Sequence, residues 1–355
     1  MVKRAVCGRK NGNPAARADN KGWLGDLHCI ELEGMSETMN CLFSVVVALG
    51  LIQTPEEPKW AGMEIIGAHS VERATIESAI PLEIGSPWTD TRSQWQEWAA
   101  KLQERFDFHR VIITRVRYVD GRVFLVVDVI EKGDESRIAF RENPTGSVEM
   151  PNDVLAAYAK LRERLDELFN QGTPPAEFGE KGYLTYADEP AMEFVEQLAE
   201  LTPPHRETLI RVLTEDADAS KRATAATLLN WAGNVTESIV AVHKLLDDPN
   251  SGVRNNISRF LVHYTSQLED QRARRSVIDA MGWQLRRPGH GDRNKSIIAL
   301  AELLKKFPQE REYIISNFGD DIRAIAEQSI LSNVGDVAKN VLQQETADGQ
   351  DNSPR

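Results

Sequence analysis

The sequence predicts an α+β protein in which a small β-α-α-β-β unit is followed by a series of helix pairs. Between residues 60 and 135, apolar residues alternate with polar ones around two predicted helices, and such alternation is typical of half-buried strands. From residue 191 to 344, apolar residues recur at helical spacing between Asp-rich turns. The two periodicities, in this order along the chain, predict an N-terminal mixed unit and a C-terminal helical unit.

Composition sets the limits of the interpretation. The 355 residues leave room for two or three domains, at about 100–200 residues per domain. The net charge of −12 argues against broad binding to nucleic acid or to anionic membranes. The cysteines Cys7, Cys29 and Cys41 form neither a disulfide framework nor a C-x-x-C zinc pattern. We therefore expect no metal, no cofactor and no integral membrane span.

Residues 1–54 read as a poorly structured start that contains a possible signal peptide. The run at 41–52, CLFSVVVALGLI, has no charge. It is shorter than the ~20 residues that a membrane-spanning helix needs, and it matches the apolar region of a signal peptide. Met35 or Met39 would then be the true start. We expect export to the periplasm or cell envelope; the protein is cytoplasmic if this run is instead a buried strand or helix.

The β-α-α-β-β unit is expected over residues 60–135. Asp120 and Gly121 predict a two-residue type I′ hairpin turn, in which both central residues have positive φ. The return strand places Val123, Leu125, Val127 and Val129 on one face. The expected elements are a strand at 63–69, helices at 71–79 and 93–106, and strands at 111–119 and 122–131.

Four short motifs accompany this order of elements. They are Ile66-Gly67 after the first strand, an L-x-x-G at 82–85, an F-x-x-V at 108–111, and the hairpin ending VDVIE at 127–131. In this order and spacing, residues 63–131 resemble the POTRA family. The resemblance implies a domain that binds polypeptides on the periplasmic side of outer-membrane assembly, secretion or division machinery.

Residues 136–190 are expected to be a linker that contains one amphipathic helix at 154–169. The apolar stripe of this helix has helical spacing. It consists of Val154, Tyr158, Leu161, Leu165 and Leu168. The polar tail at 345–355 is expected to be disordered.

The stretch LLDDPNSGVRNNISRFL at 245–261 carries the pattern of the helical unit. Pro249 ends one helix, because the residue before a proline is pushed out of the α region. Ser251 is expected to cap a new helix whose stripe includes Val253 and Ile257. Similar turns recur along the unit.

An arginine follows each of these turns. Arg222, Arg254, Arg293 and Arg323 are 32, 39 and 30 residues apart. A repeat of this length, with an Asp-rich turn and an Arg early in the second helix, resembles the HEAT repeat family over residues 191–344. The resemblance implies an α-helical solenoid in which stacked helix pairs share a core. It also implies a ladder of turn Asp and helix Arg residues, with Asp248–Arg254 and Asp321–Arg323 as the best matches.

Two sets of residues are candidate partner-binding surfaces. The first set is the strand 111–119, whose edge could accept an added strand from another polypeptide. Its candidate residues are Val111, Ile113, Arg115, Arg117 and Val119. The second set is a basic cluster at 272–295, which either pairs with acidic residues of the next repeat or meets an acidic partner or phosphates. It contains Arg272, Arg274, Arg275, Arg286, Arg287, Arg293 and Lys295.

The chain contains no GxxxxGK[ST], HExxH or GxSxG motif, and its acidic pairs lie in helix turns where Asp caps helices. We therefore expect a non-enzymatic adaptor or scaffold of the bacterial cell envelope, with polypeptide partners. The alternative is a HEAT-like nucleic-acid-binding protein that uses the basic cluster. Some HEAT-like proteins are DNA glycosylases, so this alternative includes that activity.

Overall fold

The structure, a computed structural model, describes residues 57–89, 91–118, 120–173, 175–179 and 182–343. Within these ranges the fold is α+β, with a three-stranded sheet, a two-stranded hairpin and twelve α-helices. The predicted signal segment at 41–52 and the predicted tail at 345–355 lie outside the described residues.

The strands are β1 Lys59–Ile66, β2 Arg110–Arg117, β3 Arg122–Ile130, β4 Glu177–Phe178 and β5 Thr185–Tyr186. The first helices are α1 Arg73–Glu77, α2 Arg92–Phe106, α3 Asn152–Asn170 and α4 Glu189–Leu201. The remaining helices are α5 Arg206–Glu215, α6 Ala219–Leu228, α7 Val235–Val242, α8 Ser251–Tyr264, α9 Gln271–Arg286, α10 His290–Lys306, α11 Arg311–Gln328 and α12 Ser332–Gln343.

The three-stranded sheet has β3 at its centre, parallel to β1 on one side and antiparallel to β2 on the other. As predicted, Val123, Leu125, Val127 and Val129 share one face, where they pack with residues of α1 and α2. The opposite face, which includes Phe124 and Val126, belongs to the core of the helical unit. The sheet therefore lies between two layers, and β3 is buried on both faces.

The hairpin between β2 and β3 differs from the predicted two-residue turn. Gly121 is left-handed with φ 84°, and the strand register pairs Arg117 with Val123. The Gly121 N–H donates to the Tyr118 carbonyl at 3.1 Å, and the Tyr118 N–H donates to the Arg122 carbonyl at 2.8 Å. These bonds close a three-residue loop with glycine at its last position, the next most common hairpin after the two-residue form.

The helical unit has two layers. Helices α6, α8, α10 and α12 are neighbours in one layer, and α5, α9 and α11 pack against them from the other. Polar side chains cap several of these helices. The predicted cap Ser251 is instead the first residue of α8, and Asn250 caps that helix by accepting from the Val253 N–H at 3.1 Å.

The segment at 139–150, which was expected to be part of a linker, runs along the turns of the helical unit. Val148 and Met150 within it are buried. The Arg287 guanidinium donates to the Ala139 carbonyl, and backbone hydrogen bonds join Arg141 to Asp247 and Gly146 to both Glu215 and Ala217. This extended segment therefore connects three successive turns and continues into α3. Helix α3, at Asn152–Asn170, confirms the helix predicted at 154–169.

Candidate functional site at the free edge of the sheet

Strand β2 forms one edge of the sheet. The hydrogen bond from Tyr118 N–H to Arg122 sets the alternation along β2, because in an antiparallel pair every second residue directs both backbone groups at its partner strand. Ile112, Thr114 and Val116 therefore bond to β3. The residues whose N–H and C=O groups point away from the sheet are Val111, Ile113, Arg115 and Arg117.

In the part of the chain that the structure describes, no hydrogen bond reaches the outward N–H groups of these four residues. The other edge of the sheet differs. The loop before Trp88 pairs with the start of β1, where the Trp60 N–H donates to the Ser86 carbonyl at 3.0 Å and the Gly85 N–H donates to the Trp60 carbonyl at 2.8 Å. Within the described residues no such loop pairs with β2, which is therefore an open edge of the sheet along its whole length. Val119, the fifth predicted residue of this edge, lies outside the described residues.

The side chains of these four residues share the face that is covered by α2. Val111 is buried, Ile113 and Arg115 are half-buried, and Arg117 is exposed. A partner can therefore reach the backbone of Val111 but not its side chain. Along this edge the groups within reach of a partner are thus the outward backbone N–H and C=O groups and the exposed side chain of Arg117.

Arg115 stacks between two tryptophans. Its guanidinium carbon lies 4.0 Å from the Trp88 ring centroid and 5.7 Å from the Trp95 ring centroid. Burial, and secondarily the charge of Arg117, lower the pKa of Arg115. Stacking on aromatic faces stabilises a guanidinium. The two rings therefore hold this cation on the face of the sheet that α2 covers.

The sequence of β2, RVIITRVR, contains three arginines and no carboxylate. This edge is positive in a chain whose net charge is −12. Charged groups on an edge strand oppose pairing between identical edges, and they attract partners of opposite charge.

The structure does not bring the predicted basic cluster together on one surface. Arg274 is buried against Glu310, Lys295 is buried, and Arg272 is exposed. The other members have separate partners: Arg275 bonds to Glu310, Arg286 to Asp321, Arg287 to the Ala139 carbonyl, and Arg293 to Asp128. Arg274, Arg275 and Arg286 pair with acidic residues of the following helices, which is the first of the two readings made from the sequence. Arg287 and Arg293 instead contact the extended segment and the sheet.

A series of buried Arg–carboxylate pairs runs through the helical unit, with partners that differ from those predicted. Arg222 binds the Asp248 carboxylate at 2.9 Å, and Arg254 binds Asp292 at 2.8 Å. Arg254 contacts Asp248 only through the backbone carbonyl of that residue. Arg222, Arg254 and Arg274 each also donate to the carbonyls five and six residues earlier. The same side chain thus fixes its own turn and the next helix pair.

The predicted pair Asp321–Arg323 is corrected by the structure. Arg323 bonds instead to Asp320, three residues earlier and on the exposed surface. Asp321 pairs with Arg286 of α9 at 2.9 Å. On α11, neighbouring residues point in different directions, so Asp321 faces α9 whereas Arg323 stays in solvent.

A buried ionic cluster lies under the β4–β5 hairpin, and sequence reasoning missed it. Glu177 of β4 binds Arg259 and lies 3.5 Å from His263 Nε2, both on α8. Burial raises the pKa of Glu177, but Arg259 and His263 outweigh this effect and lower that pKa to about 2. Gly179 lies close to His263, since a Cβ at Gly179 would be 3.4 Å from the Cβ of His263. The ion pair therefore fastens the hairpin to α8.

His243 makes a second polar contact that the sequence did not indicate. Its Nδ1 lies 3.1 Å from the Ile239 carbonyl, and its Nε2 lies 2.8 Å from Ser276 Oγ. A carbonyl only accepts, so Nδ1 carries the proton and the Ser276 hydroxyl donates to Nε2. Burial lowers the pKa of His243, which favours the neutral ring. The pair joins the segment after α7 to α9.

Among the described residues, no three His, Cys, Asp or Glu side chains are grouped so that they could hold a metal ion. No helix there is both long and apolar enough to cross a lipid bilayer. The sequence matches no protein-family model, and comparisons with curated proteins and with solved structures find no match either.

Proposed function

We propose that this protein is a non-enzymatic adaptor that binds an extended polypeptide segment along the free edge of β2. The observation that carries the proposal is the set of outward backbone groups on Val111, Ile113, Arg115 and Arg117, which have no partner in the described chain. An extended peptide that aligns with such an edge gains main-chain hydrogen bonds, and neighbouring side chains set its specificity.

The architecture around β2 supports a POTRA-like interpretation of residues 63–131. The elements follow the order β-α-α-β-β, and β2 lies at the edge of a sheet whose faces are both covered. Because helices cover both faces, the edge is the part of this sheet that an added chain can pair with. The anchoring of the sheet to the helical unit would keep the edge rigid during binding.

The second surface of the proposed adaptor lies on the layer of the helical unit that is formed by α5, α9 and α11. Stacked helix pairs and the Arg–carboxylate series support a HEAT-like interpretation of this unit. Trp283 of α9 is 54% exposed, and the Arg286 guanidinium lies 4.8 Å from its ring centroid. Exposed Trp–Arg pairs are typical anchors of protein interfaces. We assign the second partner to the surface around Trp283.

The nucleic-acid alternative receives little support. Phosphate binding requires several free cations on one surface. Arg274 and Arg293 of the basic cluster are instead buried in ion pairs with Glu310 and Asp128. A glycosylase-like reaction has no further observation in its favour. The proposed partners at both surfaces are therefore polypeptides.

The proposed site of action is the bacterial cell envelope. This part of the proposal depends on the apolar run at 41–52 and on the POTRA resemblance. Fractionation of native cells, followed by sequencing of the mature N-terminus, tests it. A start close after residue 50 in an envelope fraction is expected, whereas an intact Met1 in the cytosol would contradict export.

Site-specific photo-crosslinking in native cells tests the binding function. A photo-reactive phenylalanine analogue replaces Arg117 at the free edge, and in a matched control it replaces the exposed Glu200 on α4. We expect a discrete adduct only from position 117, and we expect Ile113→Pro to abolish it. An adduct that persists in the Ile113→Pro variant would contradict strand addition, because proline lacks the outward N–H.

A further inference from the structure

An exposed arginine stands at each end of the open edge of β2. Arg110 is the first residue of the strand and Arg117 is the last, and the side chains of both are exposed. Among the described residues, no carboxylate pairs with either guanidinium. The nearby Arg122 differs, because it pairs with Asp120 at 2.7 Å. The charges at the two ends of the edge are therefore available to a partner.

The middle of the same edge is apolar. Ile112 and Ile113 are both half-buried, and they lie on opposite faces of the sheet because successive side chains of a strand alternate. Residues that face each other in paired strands have Cβ atoms about 5 Å apart. A strand added to β2 would therefore cover both isoleucines and place its own ends beside the two arginines.

A second copy of this chain is a poor occupant of the edge. Pairing of two β2 edges would bring together strands that each end in arginine on both sides and contain no carboxylate. Like charges directly opposite each other are destabilising. A segment with acidic ends has the opposite sign, and such complementarity favours one partner and one register over others.

We propose that the edge of β2 recognises an extended segment whose carboxylates pair with Arg117 and Arg110. Two consecutive apolar residues of this segment lie opposite Ile113 and Ile112. The two carboxylates are seven positions apart, as the arginines are. For an antiparallel addition, the recognised pattern is acidic-x-x-x-apolar-apolar-x-acidic. This inference rests on the proposed strand addition and adds the chemistry and spacing of the partner.

Fluorescence anisotropy with designed peptides and the full chain tests the proposal. Three labelled peptides of about eight residues, a usual strand length, are blocked at both ends so that no terminal charge contributes. The first has Glu at both acidic positions, and the second has Gln there. The third keeps two Glu residues but places them side by side next to the N-terminus. We expect the first peptide to bind about tenfold more tightly than the second, and more tightly than the third.

Three variants identify the side chains responsible. Arg117→Gln is expected to weaken binding of the first peptide about threefold and to leave binding of the Gln peptide unchanged. Arg117→Glu is expected to prefer a peptide with Lys at the position opposite residue 117, because the pair is then restored with reversed signs. Arg272→Gln is the matched control, since Arg272 is exposed on α9 and lies outside the sheet.

The outcomes separate this inference from strand addition itself. Equal affinity for the Glu and Gln peptides, both lost in Ile113→Pro, would overturn the pairing of carboxylates and leave strand addition intact. Absence of binding by all three peptides, or a Glu preference that survives Ile113→Pro, would contradict strand addition and this inference with it. Equal binding of the first and third peptides, or equal losses in Arg117→Gln and Arg272→Gln, would reduce the effect to general charge attraction and overturn the proposed spacing.

Discussion

Arg293 and Asp128 form a buried ion pair across 165 residues of sequence, with Nη1 and Oδ1 2.5 Å apart. Arg293 lies in the first turn of α10, which begins at His290, and Asp128 lies on β3, the central strand of the sheet. Arg222 and Arg254 bind a carboxylate of the next helix pair, but Arg293 binds the sheet. The small sheet thus supplies to Arg293 the carboxylate that a following helix pair supplies to Arg222 and Arg254, and this ion pair fixes the sheet against α10.

Removal of one partner of this pair should destabilise the whole fold. Arg293→Met leaves Asp128 charged and buried without its main partner, and breaking a buried pair in this way costs about 3–5 kcal/mol. Equilibrium unfolding in urea measures the change. The double variant Asp128→Leu with Arg293→Met should recover most of the loss, because replacing both charges by apolar groups is often neutral.

The exposed pair between Arg323 and Asp320 is the matched control. Exposed ion pairs contribute about 0–1 kcal/mol, so Arg323→Met should change the free energy of unfolding by less than about 1 kcal/mol. Equal effects of Arg323→Met and Arg293→Met would contradict the anchoring role assigned to Asp128.

Proline substitutions should distinguish the two sides of β2. Thr114 directs its N–H at β3, so Thr114→Pro removes a sheet hydrogen bond and should cost about 1–3 kcal/mol more than Ile113→Pro. Ile113→Pro removes only an outward N–H and should resemble Ile113→Ala in stability. Thermal unfolding monitored by circular dichroism compares the variants. If Ile113→Pro were the more destabilising of the two prolines, the assigned register would be wrong.

The ion pair of Glu177 should make the free energy of unfolding depend on pH between about 4.5 and 2. Its folded pKa of about 2 lies below the ordinary 4.5, so the stabilisation is complete above pH 4.5 and is lost as the pH falls toward 2. The difference in free energy of unfolding between the native sequence and Glu177→Gln should therefore narrow over this range. A difference that stays constant from pH 7 to pH 3 would show that the carboxylate does not form this pair.

The basic residues between 272 and 295 should not support strong binding to DNA. Since Arg274 and Arg293 are buried in ion pairs, few cations remain to displace counterions from phosphates. Anisotropy with a labelled duplex at increasing salt should show weak binding with a shallow salt slope. A slope that corresponds to six or more phosphate contacts would restore the nucleic-acid alternative.

Local sequence patterns predicted the elements better than their assembly. The period-two alternation of Val123 to Val129 correctly identified a strand and the face that meets α2, and the stripe from Val154 to Leu168 correctly identified α3. Both signals come from residues a few positions apart. The β4–β5 hairpin was missed because each strand has two residues, which is too short for a detectable period.

The partners of charged residues could not be obtained from their spacing. Asp248 and Arg254 are near in sequence, yet the carboxylate of Asp248 binds Arg222 and Arg141. Arg274 and Arg275 are adjacent, but one is buried and the other half-exposed, because consecutive residues of a helix differ in direction by about 100°. The sequence predicted that the strand at 111–119 has an exposed edge. The contacts of Arg115 with Trp88 and Trp95 became visible only in the fold.

Hydrogen exchange at individual amides of β2 tests the central claim most directly. In the free protein, the N–H groups of Val111, Ile113, Arg115 and Arg117 should exchange rapidly, while those of Ile112, Thr114 and Val116 should be protected by β3. Saturation with the extended partner segment captured by crosslinking at position 117 should protect the outward set and leave the inward set unchanged. Outward amides that are already protected in the free protein, or that stay unprotected when the peptide is bound, would contradict strand addition at this edge.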